Sequence, residues 1–344
     1  MFVALLFILM VSMAAFSFLK NERPTTRSLV FMGTVGIITL MAALRPLGID
    51  KDSLQYYSYY LGQFDDIVEP SFILIRDLVQ LTLDDVQGVF IAYALLAIPL
   101  KCFVFTKLSD EYFLLLAVYM SNFLILHDMT QIRVGAAMAF IFLAFYFQIQ
   151  GKRWISFLLI CVSIFFHVSA ALMLCLPLLP NKDLKMWHRW VLAGIPFLAF
   201  STVLFQIDLI SLIPFDFVQD KLTIYDGIKD SKGAETVNLF NAAIMVKMMV
   251  FYFLLWKYTI IKPYCSYLPL LLQLFVISYV CLGVFNFSAV FASRISELFC
   301  FVEILMVPLI IHAIEPKWIG RLFVLFYVIG IFLLNVVYAG LLTY

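Results

Sequence analysis

Eleven apolar segments recur along the 344 residues, at about 1–19, 28–44, 86–105, 112–126, 132–149, 154–179, 190–206, 237–256, 268–285, 290–312 and 322–342. Each is near the roughly 20 residues that carry an α-helix across the hydrocarbon core of a bilayer. Lipid offers no water to backbone amides and carbonyls, so runs of this length fold as helices; the period-2 alternation of a membrane barrel is absent. With 64% hydrophobic and 13% charged residues, about half the charged share of a soluble domain, the sequence predicts an all-α polytopic integral membrane protein. Its ten or eleven helical segments form a single transmembrane domain over residues 1–344. A soluble core and a single membrane anchor are both excluded. The opening MFVALLFILM has no basic stretch before it and reads as a spanning helix rather than a cleaved signal peptide.

Lys and Arg in short loops mark the cytoplasmic side. The first loop holds Lys20, Arg23 and Arg27, which puts the N-terminus outside. The 45–85 stretch then lies outside, with Asp50, Asp52, Asp65, Asp66 and Glu69 among its acids; its EPSFILIRDLVQLTLDD part reads as an amphipathic helix on the interface. Lys101 with Lys107, and Lys152 with Arg153, fall inside, and His127 to Gln131 outside. If 154–179 crosses once, the basic NKDLKMWHR lands outside and the acidic 207–236 loop, with Asp226, lands inside, against the charge rule. Two half-helices that enter and leave on the cytoplasmic side, with His167 near the turn, remove the conflict. A full crossing, with parity restored elsewhere, is the alternative. Under the re-entrant reading 207–236 is an external loop, Lys257, Lys262, Lys317 and Arg321 lie inside, and the C-terminus lies outside. All five tryptophans, Trp154, Trp187, Trp190, Trp256 and Trp318, stand beside the basic loops, as an interfacial belt requires.

A net charge of +1 without a basic patch argues against nucleic acid as a partner. The six cysteines form no CxxC pair and read as small apolar residues. No nucleophile elbow, zinc-protease helix or Walker loop is present, so neither a cofactor nor a nucleotide donor is expected. A substrate reaches this protein within the membrane.

Ionisable groups inside lipid are expensive and are functional candidates by default. Arg45, Arg133 and Arg294 come from three helices and all face the outer leaflet in the predicted topology. Their planar donor forks would suit a pyrophosphate, although arginines at helix ends also snorkel to lipid headgroups. His127, Asp128 and Gln131 surround Arg133 in sequence, and either His127 or Asp128 has the spacing to anchor it locally. Arg294 and Glu297 stand at i, i+3, which serves a structural ion pair as well as a site. His167 is either a ligand-site residue on a broken helix or a core histidine bonded to a carbonyl. Tyr56, Tyr57, Tyr59 and Tyr60 fit the membrane interface, and with Asp50 and Asp52 they also fit a hydroxyl-rich sugar. A transporter or flippase with a polar translocation path is the alternative reading, and the clustering of candidates on one side argues against it.

The motif order R-x-x-G-x-D (Arg45, Gly48, Asp50) with Tyr56 following, E-P-x-F (Glu69, Pro70, Phe72), Q-I-R-x-G-x-A (Gln131, Arg133), F-H-x-S-A (Phe166, His167) and A-S-R (Arg294) resembles the EpsG family of Wzy-like polysaccharide polymerases. The resemblance implies a GT-C-like membrane fold related to O-antigen polymerases and ligases, in the bacterial inner membrane. It implies the joining of oligosaccharide repeats carried on polyprenyl pyrophosphate at the external face, with membrane lipid and a chain-length regulator protein as further partners. By the same resemblance Arg45, Arg133 and Arg294 recognise pyrophosphate, while His167, Asp50 and Glu69 serve catalysis or acceptor placement. Tyr56, Tyr57, Gln131, Asp128 and Glu297 are the expected sugar contacts, and no metal is expected.

Overall fold

The computed structural model describes residues 1–19, 23–63, 68–205, 207, 238, 241–286 and 288–342. Among them the chain is helical with no strand; one isolated bridge joins Asp50 to Leu342. The helices are α1 (Phe2–Phe16), α2 (Pro24–Ala43), α3 (Ser53–Tyr60), α4 (Pro70–Thr82), α5 (Gln87–Leu108), α6 (Tyr112–Ser121), α7 (Ile132–Ile149), α8 (Arg153–Phe166), α9 (Met186–Leu204), α10 (Ala242–Trp256), α11 (Leu268–Val284), α12 (Ala289–Phe299) and α13 (Lys317–Leu333). Every one of the eleven apolar segments carries helix. Five helices are long and apolar enough to cross a membrane: Pro24–Ala43, Gln87–Leu108, Ile132–Ile149, Phe291–His312 and Lys317–Tyr338; the bent pair Tyr112–Ser121 and Leu124–Thr130 makes a sixth if it is one span. The protein is an all-α multi-pass membrane protein. All five tryptophans are exposed.

The expected external loop at 207–236 lies, apart from Ile207, outside the described residues, as do Lys20, Asp65 and Asp66. The chain divides into two compact units, Met1–Leu179 with Ile310–Tyr344, and Pro180–Leu309.

In the first unit α7 packs against α5 and α8, α2 against α5, and α1 against α6 and α13. Without a hydrophobic drive between helices in lipid, close approach of small residues holds such a bundle. Gly88 in α5 is one such point: a Cβ there would stand 2.6 Å from Val79 of α4. Helix α4 is thereby seated on the bundle, with Phe72 fully buried. Pro70 at the first position of α4 fits a place where no backbone N–H is needed. Glu69 precedes it as the helix cap, yet its side chain makes no cap hydrogen bond and turns elsewhere.

Three departures from the sequence reading matter. The 112–126 segment is not one helix: α6 stops at Ser121, and a π-helical turn, Leu124–Thr130, leaves at 64°. At the break Asn335 donates to the Ser121 carbonyl and to Asn122 Oδ1, both at 3.0 Å, and so satisfies a carbonyl that the helix leaves open. Lys101 is not a loop residue: α5 runs on through Leu108 and buries it to 1% exposure. Arg321 is likewise buried, donating to Glu111 at 2.6 Å and to the Ser17 carbonyl at 3.0 Å.

In the second unit α9 lies against α11, where a Cβ on Gly283 would meet Thr202 Oγ1 at 2.7 Å and the Ala199 carbonyl at 2.8 Å. Tyr252 of α10 donates to the Ala193 carbonyl of α9 at 2.8 Å. Lys247 of α10 pairs with the buried Glu303 at 2.8 Å, a charge pair that apolar periodicity does not reveal.

Candidate functional site

Glu69, Arg133 and His167 meet in the first unit from three separate elements. His167 follows the last residue of α8 in extended backbone (φ −156°, ψ 120°), and a 3-10 helix, Val168–Leu178, begins after it. The predicted break of the 154–179 segment therefore falls on His167 itself. Its Nδ1 lies 2.7 Å from Glu69 Oε1. The other carboxylate oxygen of Glu69 accepts from Arg133 Nη1, in the first turn of α7.

The Glu69 carboxyl is held below its ordinary value: burial alone would raise it, but the His167 hydrogen bond and the Arg133 charge outweigh burial. An ionised carboxylate only accepts, so His167 Nδ1 carries the hydrogen of this bond. In a neutral ring that leaves Nε2 with the free lone pair. His167 and Arg133 keep 26% and 19% of their side-chain surface exposed, against 8% for Glu69. The carboxylate is thus the inner member, and the imidazole and the guanidinium are the outer ones.

Helix α3 supplies the wall. Tyr56 and Tyr59, at i, i+3, present their rings to Arg133, whose guanidinium carbon is 5.8 and 5.6 Å from the two centroids. Phe72 packs against both, at 5.8 and 6.0 Å. Burial pushes the Tyr56 phenol up to about 12, so it stays a hydrogen-bond donor near neutrality. Tyr57 turns to the opposite, exposed side of α3. Neither α3 nor its wall was visible as a helix in the sequence, where the four clustered tyrosines fitted either a membrane interface or a sugar.

Arg45 and Asp50 form a pair of their own. Gly48, at φ 82°, takes the left-handed turn that brings Asp50 back toward the end of α2. Arg45 Nε then donates to Asp50 Oδ2 at 2.9 Å and Nη1 to the Ala42 carbonyl at 2.6 Å, with the guanidinium 3.9 Å from the Phe90 centroid. Arg45 is fully buried. The R-x-x-G-x-D spacing is therefore that of a closed turn, with the arginine facing inward rather than toward the leaflet surface.

Asp128 is paired with another cation, not with Arg133. Lys101 Nζ takes both of its oxygens at 2.7 Å, and Tyr119 donates to it at 2.6 Å. Gln131 caps α7 beside Arg133. Arg294 and Glu297 lie on α12 of the second unit, the arginine exposed and the glutamate half-buried. Among the described residues no group of three or more His, Cys, Asp and Glu could hold a metal ion.

No curated protein and no solved structure matches the chain. The residues that meet, Glu69, Arg133 and His167, and the turn that joins Arg45 to Asp50 all fall inside residues 28–344, the span matched by the family model described as the EpsG family. The protein belongs to the EpsG family.

Proposed function

We propose that this protein is a membrane glycosyltransferase of GT-C-like type that polymerises oligosaccharide repeats carried on polyprenyl pyrophosphate. Membership of the EpsG family suggests a polysaccharide-polymerase role. The reading beyond that is carried by the Glu69–His167 contact with Arg133 on the same carboxylate.

A hydroxyl of the acceptor sugar attacks the anomeric carbon of the donor, and lipid pyrophosphate leaves. The hydroxyl proton needs a base, and His167 Nε2 is oriented for that task by the Glu69 bond at Nδ1. Asp50, the other carboxylate considered for that role, is committed to Arg45. The leaving group gathers negative charge, which a fixed guanidinium stabilises without reorganising; Arg133, held by Glu69 and the α3 tyrosines, supplies it. Tyr56 and Gln131 stand beside this cluster as contacts for sugar hydroxyls. The reaction is assigned to the external face of the bacterial inner membrane, with both termini outside, and the lipid-linked oligosaccharide, membrane lipid and a chain-length regulator protein are its partners.

The test is turnover of a lipid-linked repeat by the purified protein in detergent, where no gradient exists. Longer polymer is expected from wild type, and unextended single repeats from Arg133→Ala. A wild-type protein that moves lipid-linked sugar across vesicles but forms no glycosidic bond would overturn the reading in favour of a transporter.

A further inference from the structure

We propose that Lys101 is a positioning residue for Arg133, acting through Asp128 and the π-helical turn that precedes α7. The proposal rests on reading Glu69, Arg133 and His167 as the reacting cluster.

Lys101 sits inside α5, almost fully buried, with both Asp128 oxygens at 2.7 Å and Tyr119 on the same carboxylate at 2.6 Å. Charges inside a membrane bundle are expensive, and an apolar pair of similar volume would hold the helices equally well. A charged tie at this depth fixes a location more than it adds stability. The location fixed is the π turn, a wide helical form that recurs at functional sites.

From Asp128 to Arg133 the path is short and stiff. Gln131 N donates back to the Leu126 carbonyl at 2.9 Å, the i→i+5 bond of the π turn, and Gly135 N donates to the Gln131 carbonyl at 2.9 Å, opening α7. Gly135 also lies directly on the turn: a Cβ there would be 2.6 Å from the His127 carbonyl oxygen and 2.7 Å from Asp128 Oδ1. Helix α7 is thus in contact with the carboxylate that Lys101 holds. Movement of Asp128 carries the first turn of α7 with it, and with that turn the Arg133 guanidinium bound to Glu69. Arg133 touches the cluster; Lys101 sets where it does so.

The experiment compares full-length wild type, Lys101→Met, Tyr119→Phe and Arg133→Ala in detergent, on a lipid-linked oligosaccharide repeat, with kcat and KM measured separately. A displacement of about 1 Å is worth about a hundredfold in rate. Lys101→Met is expected to lose about that factor in kcat while KM stays near wild type, and Tyr119→Phe to lose less in the same direction. Wild-type kcat in folded Lys101→Met overturns the proposal, as does a change confined to KM. If Lys101→Met fails to fold, Tyr119→Phe decides: lowered kcat with unchanged KM supports the proposal, and wild-type kcat overturns it. Full activity in Arg133→Ala removes the underlying reading of the cluster instead, whatever the Lys101 variant does.

Discussion

His167 Nδ1 and Glu69 Oε1 lie 2.7 Å apart although 98 residues separate them in sequence. Each is made available by an irregularity of its own segment. His167 stands in extended backbone between α8 and a 3-10 helix, and Glu69 caps α4 without using its side chain for the cap. A continuous helix through 167 would have directed the imidazole by helical register alone, and a side-chain cap at 69 would have occupied the carboxylate.

Replacing Glu69 by Gln keeps the shape of the contact and removes the charge that fixes the His167 tautomer. General acid–base assistance is worth about 100- to 10,000-fold, and kcat of Glu69→Gln is expected to fall within that range. Steady-state turnover of the purified variant on a lipid-linked repeat measures it; turnover within about twofold of wild type would remove the dyad from that range of effect.

The same carboxylate leaves a signature in stability. Its value in the fold is lowered from the ordinary 4.5, so its stabilising contribution is fully present above that value and is lost as pH falls through the lowered one. The thermal midpoint of the wild type in detergent should drop more steeply below about pH 4.5 than that of Glu69→Gln. Parallel curves for the two proteins would contradict the assignment.

Arg133→Lys is expected to be inactive or nearly so. A lysine keeps the charge but not the planar fork that holds Glu69 while facing two tyrosine rings. Polymer length distribution in cells with normal protein levels reports it, and wild-type polymer from Arg133→Lys would show that charge alone suffices.

Asp50→Ala leaves the fully buried Arg45 guanidinium without its carboxylate. Breaking a buried pair by removing one partner costs about 3–5 kcal/mol, so this variant is expected to lose stability by that amount in reversible unfolding in mixed micelles. A variant as stable as wild type yet unable to polymerise would instead place Asp50 at the substrate.

Orientation has a direct readout. A cysteine placed at Tyr57, exposed on α3, is expected to react with a membrane-impermeant reagent in cells whose outer surface is accessible, and one placed at Lys185 is not. Labelling at Lys185 alone reverses the assignment of the external face.

The sequence made the helical architecture legible because lipid leaves backbone groups one recourse, and the apolar segments fall where the helices are. The interruption at His167 falls inside 154–179, the segment for which the charge count left a re-entrant pair and a full crossing both open. Lys101 was misread because Lys107 follows it and the two resemble a loop pair; what shows it to be internal is Asp128, 27 residues on, and no periodicity links the two. Arg45 illustrates the opposite case. Its partner was printed five residues away, and the glycine between them already signalled a return turn, but the arginine's position after an apolar run suggested the leaflet surface. Glu69, Arg133 and His167 were each singled out, whereas their meeting depends on a tertiary fold that spacing does not encode.

Asn335 seals the broken end of α6 and Arg321 ties Glu111 to Ser17, so the unit that holds the cluster draws on residues beyond Ile310. During synthesis those residues leave the ribosome after the whole of Pro180–Leu309. The Ser121 carbonyl and the Glu111 carboxylate thus take their partners, Asn335 and Arg321, only once the Lys317–Tyr338 stretch has been made.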